Sequence, residues 1–142
     1  MIQDIEKRVD HERGWSRADL HIHTCLSDAG PSPLQVVRHV IRQRKLAVIA
    51  ITDHDRIDGG LQVRDLAASY GLQVVVGEEV STADGHLLAL FIEQPIAPGR
   101  PIEETLAEVH AQGGLAVAAH PFDFLSKSLL GRGSRRWTEE AL

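Results

Sequence analysis

Two histidines lie two positions apart in a short apolar stretch, DLHIHT (19–24), that otherwise looks like a buried strand. In an extended strand alternate side chains share a face, so His21 and His23 project together while Leu20 and Ile22 point the other way. A single histidine in a strand is more often a core residue than a metal ligand. A pair on one face, however, is the arrangement that could bind a divalent transition metal.

Similar groups occur at the ends of other predicted strands. LAVIAIT runs into Asp53-His54-Asp55, LQVVVG into Glu78-Glu79, and LAVAA into His120-Pro121. The carboxyl ends of strands in an α/β barrel or open sheet share one rim, so these groups should be neighbours in space. A buried polar group without a partner costs about 1–3 kcal/mol, a cost that a bound cation removes. Imidazoles with carboxylates suit zinc, iron or manganese, so we expect two or three catalytic ions.

The remaining histidines and a basic run receive no role. His39 and His110 lie inside predicted amphipathic helices and are interpreted as surface residues. His11, in a polar segment, is interpreted as solvated. The arginines 132, 135 and 136 could attract phosphate but are more typical of a solvated loop.

The elements that must position the ligands alternate along the chain. The pattern predicts strands over 17–23, 46–52 and 72–81, with helices over 32–45 and 59–71 between them. Ser32 and Pro33 form a good helix start, and Gly71 is a good stop. Next, Ala83-Asp84-Gly85 predicts a hairpin, followed by a helix over 101–112 and a strand over 115–120. The fold class is therefore α/β with about five strands, those over 46–52 and 72–77 being covered on both faces.

Length and composition set further bounds. The chain has 142 residues, 43% of them hydrophobic, which favours one domain over 17–142 after a polar extension, residues 1–16, read as a short helix or an ordered tail. A net charge of −5 disfavours binding to nucleic acid or an anionic membrane. The single cysteine, Cys25, excludes an internal disulfide, and no apolar run resembles a signal peptide or a membrane span. A reducing cytoplasm fits best.

Five motifs in order are similar to those of the PHP family, the polymerase and histidinol phosphatase superfamily. They are DLHIHTCLSD (19–28), ITDHD (51–55), GEEVS (77–81), GHLLAL (85–90) and AHPF (119–122). The resemblance implies a distorted barrel of seven strands and helices. It also implies a di- or trinuclear metal centre at the carboxyl ends of the strands, and phosphoester hydrolysis as the usual activity.

The resemblance also implies a role for each matching residue. His21 and His23 would hold the first metal, Glu79 would bridge two metals, His86 and His120 would complete the second, and Asp28 and His54 would contribute to the third. Strand alternation agrees that only one of Glu78 and Glu79 can face the centre. Asp19, Asp53 and Asp55 are candidates to accept a ring N–H from a ligand histidine.

The chain departs from the family pattern at two places. Ser27-Asp28-Ala29-Gly30 stands where many members read Ser-Asp-Gly, and the last family motif, Asp-x-His, is absent before the final WTEEAL. We therefore expect a partial PHP domain, with an incomplete barrel and most of the metal site. An unclosed barrel would expose a sheet edge, which favours self-association.

The expected function is a metal-dependent phosphoesterase. A metal-activated water would be the nucleophile, no side chain would attack, and the substrate would be a small phosphate ester. Two alternatives remain open at this stage. One is a 3′ nuclease-type domain, and the other is a non-catalytic metal-binding or structural module.

Overall fold

The computed structural model describes residues 9–10 and 15–122. The strands are β1 (Val9–Asp10), β2 (Trp15–Ser16), β3 (Ala18–Ile22), β4 (Val48–Ile51), β5 (Gln73–Ser81), β6 (His86–Leu90) and β7 (Leu115–Ala118). The helices are α1 (Pro33–Gln43), α2 (Asp58–Ala67) and α3 (Ile102–Ala111), with a 3₁₀ turn at Ala68–Tyr70. In the N-terminal segment β1 and β2 pair antiparallel, so its described residues are extended and not helical.

The main sheet has five strands in the order β3-β4-β5-β6-β7. Strands β3, β4 and β5 are parallel, whereas β6 is antiparallel to both β5 and β7. With its helices the sheet forms a curled half-barrel, which confirms the predicted incomplete α/β barrel of about five strands.

Local sequence signals fix where the helices begin and end. Ser32 Oγ accepts a hydrogen bond from Gln35 N, and Gln35 Oε1 accepts one from Ser32 N, so the predicted start of α1 is confirmed as a reciprocal cap. Gly71 has a φ of 64° and ends the turn after α2, as predicted. Asp84 Oδ2 accepts from Ile102 N and so joins the hairpin loop to the start of α3.

The two faces of the sheet have different neighbours. On the outer face, α1 and α2 pack against β4 through an apolar cluster that includes Val37, Val40, Ile49, Ile51 and Val63. On the inner face a smaller cluster forms from Ala50, Val75, Leu88, Leu90 and Ala119. Residues of β5 alternate between these faces, so Glu79 shares the inner side with Val75 while Glu78 points outward.

The outermost strands, β3 and β7, are largely exposed. Leu20 is 43% exposed in β3, and Leu115 and Val117 are 58% and 45% exposed in β7. The expectation that DLHIHT is buried is therefore wrong for residues 19–22, because β3 lies at one end of the strand order, whereas Thr24 is buried. The predicted exposed edge is present among the described residues, whereas self-association stays a prediction. No helix in the described part of the chain is long and apolar enough to span a membrane.

Candidate metal centre

Glu79 lies at the centre of a group of histidines and is only 1% exposed. Its Oε2 atom is 2.9 Å from His21 Nε2 and 2.9 Å from His23 Nε2. Its Oε1 atom is 2.9 Å from His86 Nδ1 and 2.9 Å from His120 Nε2. Each carboxylate oxygen therefore faces two imidazole nitrogens.

Strand directions explain this convergence. His86 is the first residue of β6 and pairs with Ser81, the last residue of β5, because the two strands are antiparallel. Strand β7 runs antiparallel to β6, so His120, just after β7, reaches the same rim. His21 and His23 lie at the carboxyl end of β3, which runs parallel to β4 and β5.

Asp28 and His54 lie beside this group. His54 Nε2 is 3.7 Å from Glu79 Oε2 and 3.5 Å from Asp28 Oδ2. Asp28 Oδ1 is 2.8 Å from His23 Nδ1, so that ring faces Glu79 with one nitrogen and Asp28 with the other. All seven residues predicted as metal ligands thus line one open cavity of about 410 Å³, together with Ala29.

Burial and the hydrogen bonds within this group shift the pKa values of its members. Burial alone would raise the pKa of Glu79, but hydrogen bonds with His21 and His23 outweigh burial and hold that pKa well below its usual range. The hydrogen bond with Glu79 raises the pKa of His23. Burial lowers the pKa of His86, and the hydrogen bond with His23 lowers the pKa of Asp28. Glu79 is therefore a carboxylate at neutral pH.

The donor atoms fit divalent cations. His86 Nδ1 is buried and makes no hydrogen bond of acceptable geometry within the described residues, although Glu79 Oε1 is 2.9 Å away. His21 Nε2 and His23 Nε2 are 3.0 Å apart. Two nitrogens each about 2.1 Å from one ion, at a right angle, would be about 3 Å apart. Three overlapping groups could hold an ion: His21–His23–Glu79, His23–Asp28–His54 and His54–Glu79–His86.

The three aspartates predicted to accept a ring N–H have other partners. Asp19 Oδ1 accepts from the backbone N of His21, and Asp55 Oδ1 accepts from the backbone N of Ser81. Asp53 accepts from the backbone N and the hydroxyl of Thr24 and from the hydroxyl of Ser27. Among the described residues these side chains accept from main-chain and hydroxyl donors, and acceptance of a ring N–H stays a prediction.

The residues left out of the site lie elsewhere. His39 and His110 are exposed on α1 and α3, and His39 lines a separate groove of about 690 Å³ that contains none of the seven predicted ligands. His11 and the arginines 132, 135 and 136 fall outside the described residues. Thr24 and Ser27, which hold Asp53, were missed by the sequence analysis although both belong to the first motif.

Comparison with known families decides the identity of the fold. The family model for the PHP domain matches residues 19–132, which is most of the chain. This chain belongs to the PHP domain family. The PHP match contains all seven residues that line the cavity, and the resemblance seen in the motifs is confirmed.

Individual relatives of this PHP domain cover different shares of their own length. An uncharacterized protein of Methanocaldococcus jannaschii is 37% identical over 123 residues, 80% of this chain and 72% of that protein. A phosphoribosyl 1,2-cyclic phosphate 1,2-diphosphodiesterase of Eggerthella lenta is 37% identical over 82 residues, 54% of this chain and 31% of that enzyme. The chain thus spans less than a third of the enzyme relative.

A solved structure supports the same fold. An amidohydrolase from Chromobacterium violaceum, determined with bound sulfate and no metal, superposes with a TM-score of 0.52 at 27% identity. The superposition covers 68% of this PHP domain and 33% of that chain. Family membership and the phosphodiesterase relative together support a hydrolase in general terms.

Proposed function

We propose that this PHP domain is a metal-dependent phosphoesterase that hydrolyses a small phosphate ester with water as the nucleophile. The observation that carries the proposal is the position of Glu79, whose two oxygens each face a pair of imidazole nitrogens at 2.9 Å. A carboxylate in this position can bridge two cations, each completed by two histidines. The seven residues on one rim supply ligands for two or three zinc, manganese or iron ions.

Each ligand has a distinct place in the proposed centre. His21 and His23 would hold one cation, His86 and His120 a second, and Asp28 with His54 a third, as the family resemblance implies. When bound, such cations lower the pKa of water and neutralise charge on phosphoryl oxygens. The protein holds Glu79 ionised and out of solvent, so its charge is available to both neighbouring pairs.

The lining of the cavity favours a compact anionic group. The cavity is open to solvent on one side, and its described lining contains five histidines, two carboxylates and Ala29 but no lysine or arginine. Neutralisation of a phosphate there depends on bound cations and imidazoles. The proposed substrate is accordingly a small phosphorylated molecule and not a long nucleic-acid strand, in keeping with the net charge of −5.

The test combines metal content with turnover. Purified protein would be stripped with a chelator, reloaded separately with Mn²⁺, Zn²⁺ or Fe²⁺, and assayed with 4-nitrophenyl phosphate, bis(4-nitrophenyl) phosphate and a single-stranded RNA. We expect hydrolysis of a small ester only in the reloaded samples. Hydrolysis of RNA alone would favour a nuclease, and metal uptake without turnover of any substrate would favour a non-catalytic module. Activity in protein shown by elemental analysis to be metal-free would refute the proposal.

A further inference from the structure

The two loops that carry Asp28 and His54 are attached to the sheet in different ways. The His54 loop, residues 52–57, is bonded to β5 through its main chain. Glu79 N donates to Asp53 O at 3.1 Å, and Asp55 N donates to Glu79 O at 3.2 Å. His54 is therefore fixed relative to Glu79 by the sheet itself.

The Asp28 loop, residues 23–32, has its own turn and a side-chain attachment to the neighbouring loop. Ser27 N and Ala29 N both donate to Thr24 O, which closes the turn. The Asp28 side chain is 64% exposed, so packing does little to hold it. The position of its carboxylate therefore depends on its contact with His23 and on what holds Thr24 and Ser27.

Asp53 supplies that attachment and is fully buried. Its Oδ1 atom accepts from Thr24 N and from Ser27 Oγ, both at 2.6 Å, and its Oδ2 atom accepts from Thr24 Oγ1 at 2.8 Å. Hydrogen bonds to a charged acceptor are the strong ones, and together these three define the orientation of the turn. Arg56 in the His54 loop adds a fourth hydrogen bond between the two loops by donating to Leu26 O.

Asp53 packs closely against the start of α2. A Cβ atom added to Gly59, in the first turn of α2, would lie 1.9 Å from Asp53 Oδ2 and 3.2 Å from Thr24 Oγ1. Only glycine fits at that position while the carboxylate stays where it is. The start of α2 and the Asp28 loop therefore both pack against the same carboxylate.

We propose that Asp53 is a positioning residue that sets the distance between Asp28 and His54, and so controls the third cation site more strongly than the two sites around Glu79. The main-chain oxygen of Asp53 accepts a hydrogen bond from Glu79 N, and the side chain of Asp53 holds the loop that carries Asp28. This inference rests on the proposed function, because it concerns ions bound by the same centre. It goes further because it gives Asp53, a buried residue whose side chain accepts from Thr24 and Ser27, a role in the binding of one of the three ions.

The test compares two buried threonines. Thr24→Val removes the hydroxyl that donates to Asp53, and Thr105→Val makes the same change in α3, where the fully buried hydroxyl donates to Pro101 O. Thr24→Ser keeps the hydroxyl, and Asp53→Asn and Gly59→Ala disturb the carboxylate directly. Mn²⁺ would be titrated calorimetrically into stripped full-length protein, with bound metal counted by elemental analysis and folding followed by thermal unfolding.

We expect wild-type protein to bind a weakest ion whose Kd rises about tenfold or more in Thr24→Val and Asp53→Asn. The Kd of the tighter ions should rise by a smaller factor in both variants. Thr24→Ser and Thr105→Val should match wild type in every site, even if Thr105→Val loses as much thermal stability as Thr24→Val. Loss of stability alone would therefore not reproduce the pattern.

Four results would overturn the inference. It fails if Thr24→Val weakens all ions equally, or if Thr105→Val and Thr24→Val behave alike. It also fails, with the proposed phosphoesterase left standing, if wild type binds only two Mn²⁺ ions per chain at saturation. If wild type binds no ion at all, both the inference and the proposed function fall.

Discussion

The two carboxylates of the candidate centre are held in contrasting ways. Glu79 lies within β5, is 1% exposed and faces four imidazole nitrogens at 2.9 Å. The side chain of Asp28 lies on a loop, is 64% exposed and, among the described residues, is within 4 Å of two histidines, His23 and His54. A donor fixed by a sheet ladder loses little conformational freedom when it binds an ion, whereas a loop donor must be ordered by its neighbours.

This difference teaches that one metal centre can combine a rigid part and a conditional part. The rigid part, His21, His23, Glu79, His86 and His120, should bind tightly and support the fold. The conditional part is Asp28, whose loop must present it beside the sheet-fixed His54, so the ion held there should bind last and respond to changes in that loop. Metal removal and substitution of each carboxylate test this division of the centre.

Complete removal of metal should have the largest effect. Dialysis against a chelator should abolish phosphoester hydrolysis and lower the melting temperature by several degrees, because a ligand at a thousandfold excess over its Kd stabilises by about 4 kcal/mol. Calorimetric scans of stripped and reloaded protein would measure the change. An unchanged melting temperature would show that the rigid part binds no structural cation.

Glu79→Gln should come next. It removes the charge that two pairs of histidines share, so we expect loss of the tight ions and a fall in kcat/KM of at least about a hundredfold. Glu78→Gln is the matched control, since its side chain is on the opposite face of β5 and bonds to Ile96 N. Equal losses in the two variants would contradict the assignment of Glu79.

Asp28→Ala should have a smaller effect. It should remove only the weakest ion and lower kcat/KM about tenfold, with the tight ions retained. Asp65→Ala, at an exposed carboxylate of α2, is the control for loss of one negative charge. Release of every ion by Asp28→Ala, measured by elemental analysis, would remove the distinction between the two parts.

Substitution of Glu78 should change the stability of the protein without loss of activity. Burial raises its pKa to about 7, and its Oε2 atom has no hydrogen-bond partner within the described residues. Because the folded pKa lies above the unfolded value, its contribution is fully present below about pH 4.5 and is lost as pH rises through 7. Glu78→Gln should therefore gain stability relative to wild type, by up to a few kcal/mol, between pH 5 and pH 8.5. Urea unfolding of metal-free protein at both pH values would measure this, and a constant difference would contradict it.

Periodicity and local signals predicted a large part of the fold. The family pattern chose Glu79 over Glu78, and strand alternation agreed that only one of them can face the centre. The Ser32 cap and the Gly71 stop were readable because their contacts lie within a few residues. The seven residues that line the cavity came from the motifs together with the rule that strand ends share a rim.

What the sequence did not reveal depends on contacts between distant segments. The exposure of β3 follows from its place at the end of the strand order, which no periodicity within 19–24 can report. The role of Asp53 follows from donors 26 and 29 residues earlier in the chain. The sequence did show two hydroxyl residues, Thr24 and Ser27, in one motif and a carboxylate, Asp53, in another. Only the fold shows that these side chains are hydrogen-bonded to each other.

The hairpin of β5 and β6 also bears on how the centre assembles during folding. Glu79 and His86 are seven positions apart on adjacent strands, whereas His21 and Glu79 are separated by 58. Closing the shorter loop costs about 2 kcal/mol less chain entropy, and local hairpins form earlier than non-local strand pairs. Glu79 and His86 should therefore come together before the N-terminal histidines dock onto them, so the bridging carboxylate is in place before the centre is complete.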